Sequence, residues 1–282
     1  MIEIIDNCAY ERKPASTYTV RATEFENGHF EITCTQDTYL EEQDWSQLSI
    51  DNFLVARDRD RQERAVEFAE KCARSAARRA QRKVRFTCKA MGVSTMCTLT
   101  YRACEIDLAQ VKRDLKEFNR RVLQVWPGFR FVAAFERQER GAWHVHFGCP
   151  SIPQMLCPRG KAIKVRSYVL LRAIWLSVTK DRGGNFDAQR RKQCARKGPA
   201  SIAAYISKYM LKSYGEGLRN TNRYATYGPV ELPKSVNLGT VSDLTSAVHV
   251  CYSLGLSYGD VRTARILRDG AAFYLDIEPC GA

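Results

Sequence analysis

Phe129-Arg130-Phe131-Val132-Ala133-Ala134-Phe135-Glu136, a short polar link, and Trp143-His144-Val145-His146-Phe147 make up the stretch from which the fold of this 282-residue chain is read. Alternation at period two puts Phe129, Phe131, Ala133 and Phe135 on one face of a strand and Glu136 on the other. In the second run it puts Trp143, Val145 and Phe147 on one face and His144 and His146 on the opposite one. The link Gln138-Glu139-Arg140-Gly141-Ala142 reads as a turn, in which a three-residue loop seats Gly141 at the left-handed position such hairpins need. In that register Gln138 pairs with Ala142 and Glu136 faces His144, so one carboxylate and two imidazoles share a face. Two of the chain's four histidines are spent here. Three protein ligands with open positions suit a catalytic divalent ion better than a closed structural site. A plain cross-strand charge pair is the simpler alternative for Glu136.

Upstream of the hairpin, Ser94 to Tyr101 is a β-branched, aromatic-ended run that predicts a strand. Asp107 to Trp126 predicts a helix, with Leu108, Val111, Leu115, Phe118, Val122 and Val125 at helical spacing. Asp107 can cap it and Pro127-Gly128 stops it. Further back, a long Ala-, Arg- and Glu-rich helix is predicted from about Ser49 to Val84. Its last turns carry Arg74, Arg78, Arg79, Arg82, Lys83 and Arg85. They are either cations that suit the C-terminal dipole of a solvated helix or contacts to a phosphate backbone. Around the turn at Asn27-Gly28, Tyr18 to Ala22 and His29 to Cys34 predict strands.

Downstream, a helix is expected over Arg166 to Lys180, burying Tyr168, Leu171, Trp175 and Val178. Phe186-Asp187-Ala188 reads as a short edge strand, and Arg190, Arg191, Lys192, Arg196 and Lys197 as a basic loop. Pro199 to about Tyr214 reads as a helix. Ile202, Ile206 and Met210 form its apolar row, and Tyr205, Lys208, Tyr209 and Lys212 form the adjacent face. Two phenols and two ammoniums thus point the same way. Tyrosines buried against a core with snorkelling lysines give the same pattern. A phenol is a poor nucleophile near neutrality, with a reference pKa of about 10, so nucleophilic chemistry here needs nearby cations and a metal-bound phosphate. Arg219, Arg223, Tyr224 and Tyr227 form a basic, aromatic stretch suited to single-stranded DNA or to packing on the core. Helices are expected over Ser242 to Tyr252 and Tyr258 to Leu267, and a final strand over residues 271–277.

The formal net charge of +13 points to nucleic acid or an anionic surface as partner. No apolar run is long enough to span a bilayer, and Met1 to Asp6 does not read as a signal peptide, so no membrane association and a cytoplasmic location are expected. The eleven cysteines contain no Cys-x-x-Cys and read as reduced, mostly buried thiols. No Gly-x-x-x-x-Gly-Lys-Ser/Thr run occurs, so no built-in P-loop helicase is expected.

Cys97-Thr98-Leu99-Thr100-Tyr101, Trp143-His144-Val145-His146-Phe147 and Tyr205-Ile206-Ser207-Lys208-Tyr209 together resemble, in order, the motifs of the HUH endonucleases. The last resembles the double-tyrosine motif of rolling-circle replication initiators of phages and plasmids. The resemblance covers residues from about 94 to 214. It implies an α+β fold, an antiparallel sheet with packed helices, to which the basic N-terminal helix is added. It implies Mg²⁺ or Mn²⁺ held by His144, His146 and Glu136, Tyr205 as first nucleophile, Tyr209 for a second strand transfer, and Lys208 steadying phenolate or phosphate. The product would be a 5′-phosphotyrosine link with a free 3′-hydroxyl on single-stranded or extruded origin DNA. A host helicase and DNA polymerase in a bacterial cytoplasm would be the partners. Backbone contacts are expected from Arg78, Arg79, Arg82, Lys83, Arg190, Arg191, Lys212 and Arg223. The expected domains are residues 1–90, 91–215 and 216–282, the last packing on the core. A transposase or relaxase with the same chemistry, a non-enzymatic DNA-binding protein, and a zinc hydrolase using Glu136, His144 and His146 are the rivals.

Overall fold

The computed structural model describes residues 2–5, 8–43, 50–190, 199–214 and 224–279. In chain order the elements are β1 (Ile2–Ile5), β2 (Cys8–Glu24), β3 (Phe30–Gln43), α1 (Ile50–Ala90), β4 (Thr95–Tyr101), α2 (Leu108–Leu123), β5 (Phe131–Arg137) and β6 (Trp143–Cys149). There follow β7 (Met155–Leu156), β8 (Val165–Arg166), α3 (Ser167–Thr179), β9 (Gly184–Arg190), α4 (Pro199–Tyr214) and β10 (Tyr224–Tyr227). The chain ends with β11 (Val236–Val241), α5 (Leu244–Tyr258), β12 (Asp260–Leu267) and β13 (Ala272–Glu278). The expected α+β class, antiparallel sheet with packed helices, is the observed one.

The chain divides into two compact units, residues 1–72 with 233–282, and residues 73–232. These boundaries fall at other residues than the divisions expected near 90 and 215. The first unit joins both ends of the chain in one antiparallel sheet, ordered β1-β2-β3-β13-β12, with β11 on β2. Gly28, at φ +80°, makes the expected turn between β2 and β3. Cys251 and Ala247 of α5 pack on Val20, Ile32, Leu275 and Ile277. Tyr258 to Leu267, expected as a helix, is instead the end of α5 followed by β12. Gly259 closes α5, its N–H bonding back to Gly255, and β12 then pairs antiparallel with β13. Val261, Ala264 and Leu267 have helical spacing, but strand pairing overrides it.

The second unit is built on the sheet β10-β5-β6-β4-β9. One face carries Leu99, Phe131, Phe135, Val145 and Phe147, covered by Leu115 and Phe118 of α2 and by Leu171 and Trp175 of α3. Asp107 caps α2, its carboxylate accepting from the Ala109 N–H at 2.8 Å. In α3 the buried stripe is Ser167, Leu171, Trp175 and Val178, so Tyr168, expected to be buried, lies one residue off the stripe and is 54% exposed. The other face carries Val132 and Ala134, covered by Ala80, Val84 and Cys88 of α1 and by Ile202, Ala203 and Ile206 of α4.

A buried polar knot ties β4, α2 and the turn before β9. Asp114 accepts from the Tyr101 hydroxyl (2.8 Å), from Gln110 (2.8 Å), and from both terminal nitrogens of Arg182 (2.6 and 2.9 Å). Arg182 also donates to Glu105 at 2.8 Å. Its guanidinium is held charged by the two carboxylates, and burial beside Asp114 pushes the Tyr101 phenol far up. Asp114→Ala would leave the Tyr101 hydroxyl and part of Arg182 without an acceptor. A loss of about 3 kcal/mol is expected, read as a lower urea midpoint with an unchanged slope.

Candidate active site

The hairpin of β5 and β6 forms in the register expected from its turn chemistry. Gly141 has φ +87°, the Gln138 N–H donates to the Ala142 carbonyl at 2.9 Å, and Glu136 lies opposite His144. Glu136, His144 and His146 therefore share the sheet face that also carries Ala134 and Gly148, opposite the aromatic core.

The side chains interlock. His146 Nε2 donates to Glu136 Oε2 at 2.9 Å, and the Thr98 hydroxyl lies 3.1 Å from His146 Nδ1. With the carboxylate as acceptor, the proton sits on Nε2 and Thr98 donates to Nδ1. Burial lowers the pKa of His146, against the pull of Glu136, so this contact is a hydrogen bond to a neutral ring. Gln138 Nε2 donates to His144 Nδ1 at 3.0 Å, while Arg140 donates to Gln138 Oε1 at 3.2 Å. Burial first, then His146 and Arg140, push the pKa of His144 down to about 4. His144 Nε2 is buried with no hydrogen-bond partner.

Two neutral imidazoles and a carboxylate are the donor set of a catalytic divalent-ion site. Glu136 Oε2 and His146 Nε2, 2.9 Å apart, already keep the spacing of roughly 3 Å that adjacent ligands of one octahedral ion adopt. Among the described residues, no three His, Cys, Asp or Glu side chains converge on one point as a formed cage. The reason is visible in the pairing: a proton bridges Glu136 and His146 where a cation would stand. Turning the Gln138 amide would present its oxygen to Nδ1–H of His144 and leave the Nε2 lone pair for a ligand. The residues fit a cation after these local exchanges of protons.

Helix α4 lies on the same face. Ile202, Ala203 and Ile206 anchor it over Val132 and Ala134, and the Ile206 side chain sits above Gly148, two residues along β6 from His146. A Cβ on Gly148 would come within 2.7 Å of Val93 and 2.9 Å of Ile206, so the glycine is what lets α4 approach. Gly148→Val is expected to cost about 2 kcal/mol through overpacking, measured by urea denaturation. Tyr205, on the flank of the anchored stripe, is 47% exposed, and Lys208 is exposed as well. Tyr209 and Lys212 lie on α4, but their side chains fall outside the described residues, as does that of Arg190 at the end of β9. Arg191 and Arg223 lie outside them altogether. Arg78, Arg79, Arg82 and Lys83 lie on α1, exposed but for the half-buried margin of the helix, on the side away from the buried Ala77, Ala80 and Val84.

Thr98 and Gln138, which orient the two imidazoles, have no role in the sequence reading. Strand alternation already places both on the histidine face, so their faces are legible although their partners are not. Asp187 joins that face too, opposite Thr98, which is itself opposite His146.

Residues 94–214 match a family model of replication-associated proteins, the ORF2 type and its relatives. The matched segment runs from β4 to the end of α4, so it holds Glu136, His144, His146, Tyr205, Lys208 and Tyr209. That segment is similar to replication-associated proteins, as expected for a replication initiator. No curated protein and no solved structure shows a significant match to the chain. No helix among the described residues is long and apolar enough to cross a membrane.

Proposed function

We propose that this chain initiates rolling-circle replication by nicking single-stranded or extruded origin DNA, acting in the bacterial cytoplasm with a host helicase and DNA polymerase. The observation that carries this reading is the shared sheet face. Ile202, Ala203 and Ile206 hold the tyrosine helix on the surface that presents Glu136, His144 and His146. The match of residues 94–214 to a replication-associated family and the net charge of +13 support it.

In this reading Tyr205 Oη attacks the scissile phosphorus. The bond from phosphorus to the 3′ oxygen breaks, the phenolic proton ends on that oxygen, and the products are a 5′-phosphotyrosine ester and a free 3′-hydroxyl. One diester replaces another, so the bond energy is kept for a later religation. Mg²⁺ or Mn²⁺ bound by His144, His146 and Glu136 supplies charge neutralisation at the phosphate oxygens. Burial keeps both imidazoles neutral and fit to bind it, and Thr98 and Gln138 fix their orientation. Lys208, one helical turn from the phenol, stabilises charge on the phenolate or the phosphate. Tyr209 serves the second transfer, which closes or re-initiates the displaced circle.

The test is a denaturing gel of labelled single-stranded origin DNA incubated with the protein and Mn²⁺. A metal-dependent band carrying protein and DNA together is expected. Cleavage without an adduct would instead support hydrolysis by metal-activated water. Neither, on DNA that the protein binds, would leave a non-enzymatic DNA-binding protein.

A further inference from the structure

The open edge of the second unit's sheet is a trough with cations on both sides. Its floor is β10, which pairs with β5 from Tyr224 opposite Ala134 to Tyr227 opposite Phe131. One wall is Lys83 of α1, the helix that covers the histidine face; the other is Lys112, Arg113 and Lys116 of α2, which covers the opposite face. The cavity is about 660 Å³, and no acidic side chain lines it. Arg113 shares its charge with Asp107 at 3.4 Å, and Lys112 lies 5.7 Å above the Phe135 ring. Alternation along β10 turns its two tyrosines to opposite faces. Tyr224 packs beside the α1–α4 cluster and Tyr227 stacks on Phe131 at 4.7 Å.

The trough leads to the candidate active site. Tyr224, Ala134 and His146 occupy one cross-strand row, so Tyr224 lies two strands, or about 10 Å of backbone, from His146. Glu136 lies two residues further along β5.

From this juxtaposition we infer that the β10 edge is the track for the DNA strand that enters the site, with Lys83, Lys112 and Lys116 on its phosphates and the tyrosines available to its bases. This rests on the nuclease reading for its purpose, but not for its test. A groove with cations on both walls and aromatic rings on its floor is the general design for holding single strands without sequence preference. None of the α2 cations follows from the sequence, because α2 reads there as a purely structural helix.

The experiment is fluorescence anisotropy of the full chain with a labelled single-stranded oligonucleotide across a salt series. It compares wild type, the triple variant Lys83→Gln/Lys112→Gln/Lys116→Gln, and His144→Ala. Glutamine keeps most of each side chain's length and leaves the Arg113–Asp107 pair intact. Loss of three phosphate contacts should lower the salt slope by about 2, which corresponds to about 100-fold in affinity at 0.1 M salt. His144→Ala should bind like wild type, and at saturating protein the triple variant should still form the adduct. Photocrosslinking of a halogenated oligonucleotide to the peptide that carries Tyr224 and Tyr227 is expected, and it reads the track without any substitution. An unchanged slope in a folded triple variant, or no crosslink to β10, would overturn the proposal. The cations would then serve only to keep the sheet edge from pairing with other chains. Failure of the nuclease reading would look different: normal binding through the trough and no adduct from any form.

Discussion

Replacing His144 by alanine is expected to slow strand cleavage about 10³-fold, or roughly 4 kcal/mol of transition-state stabilisation, without weakening DNA binding. The size of the effect follows from its surroundings. Nε2 of His144 is buried and unpartnered, the ring is held neutral by burial with its pKa pushed down to about 4, and Gln138 fixes the other nitrogen. A ring arranged in this way contributes little to packing and much to binding a cation. Single-turnover cleavage at saturating protein, titrated with Mn²⁺, separates the possibilities. A ligand role predicts that the rate is partly recovered at high metal concentration. Loss of binding and of cleavage together would make His144 a structural residue.

Tyr205→Phe is expected to reduce the covalent adduct about 10⁴-fold or to background, since the substitution removes one oxygen and little else. The phenol is half in solvent, so stability should move by less than about 0.5 kcal/mol. Tyr209→Phe should leave the first cleavage intact and abolish the second transfer, which a circularisation assay on a donor and acceptor oligonucleotide reads. Equal loss from both single substitutions would make the two phenols interchangeable; loss from Tyr209→Phe alone would reverse their order.

The hairpin is legible in the sequence because three independent signals agree there: period-two alternation, a glycine where the loop needs positive φ, and ligand types on one face. The tyrosine helix is legible from its apolar row at four-residue spacing. The first unit is not legible as a unit. Its sheet pairs β3 with β13, elements more than 200 residues apart, and nothing local announces such a pairing. β12 misleads because it is an edge strand with most side chains exposed, so burial imposes no clear period on its sequence. The charges of α2 read as the solvated side of a covering helix, which they are. Their position beside an open sheet edge depends on β10, a four-residue strand too short to recognise from its own sequence.

The most direct test of the central claim is to identify the protein atom that carries the DNA. Trypsin should place Tyr205 and Tyr209 on separate peptides, residues 198–208 and 209–212. Mass spectrometry of the nuclease-trimmed adduct can therefore assign the link without any substitution. A nucleotide on the 198–208 peptide, attached through a 5′ phosphate to Tyr205 and formed only with a divalent cation, is the predicted result. Cleaved DNA with a free 5′ phosphate and no modified tyrosine would contradict it.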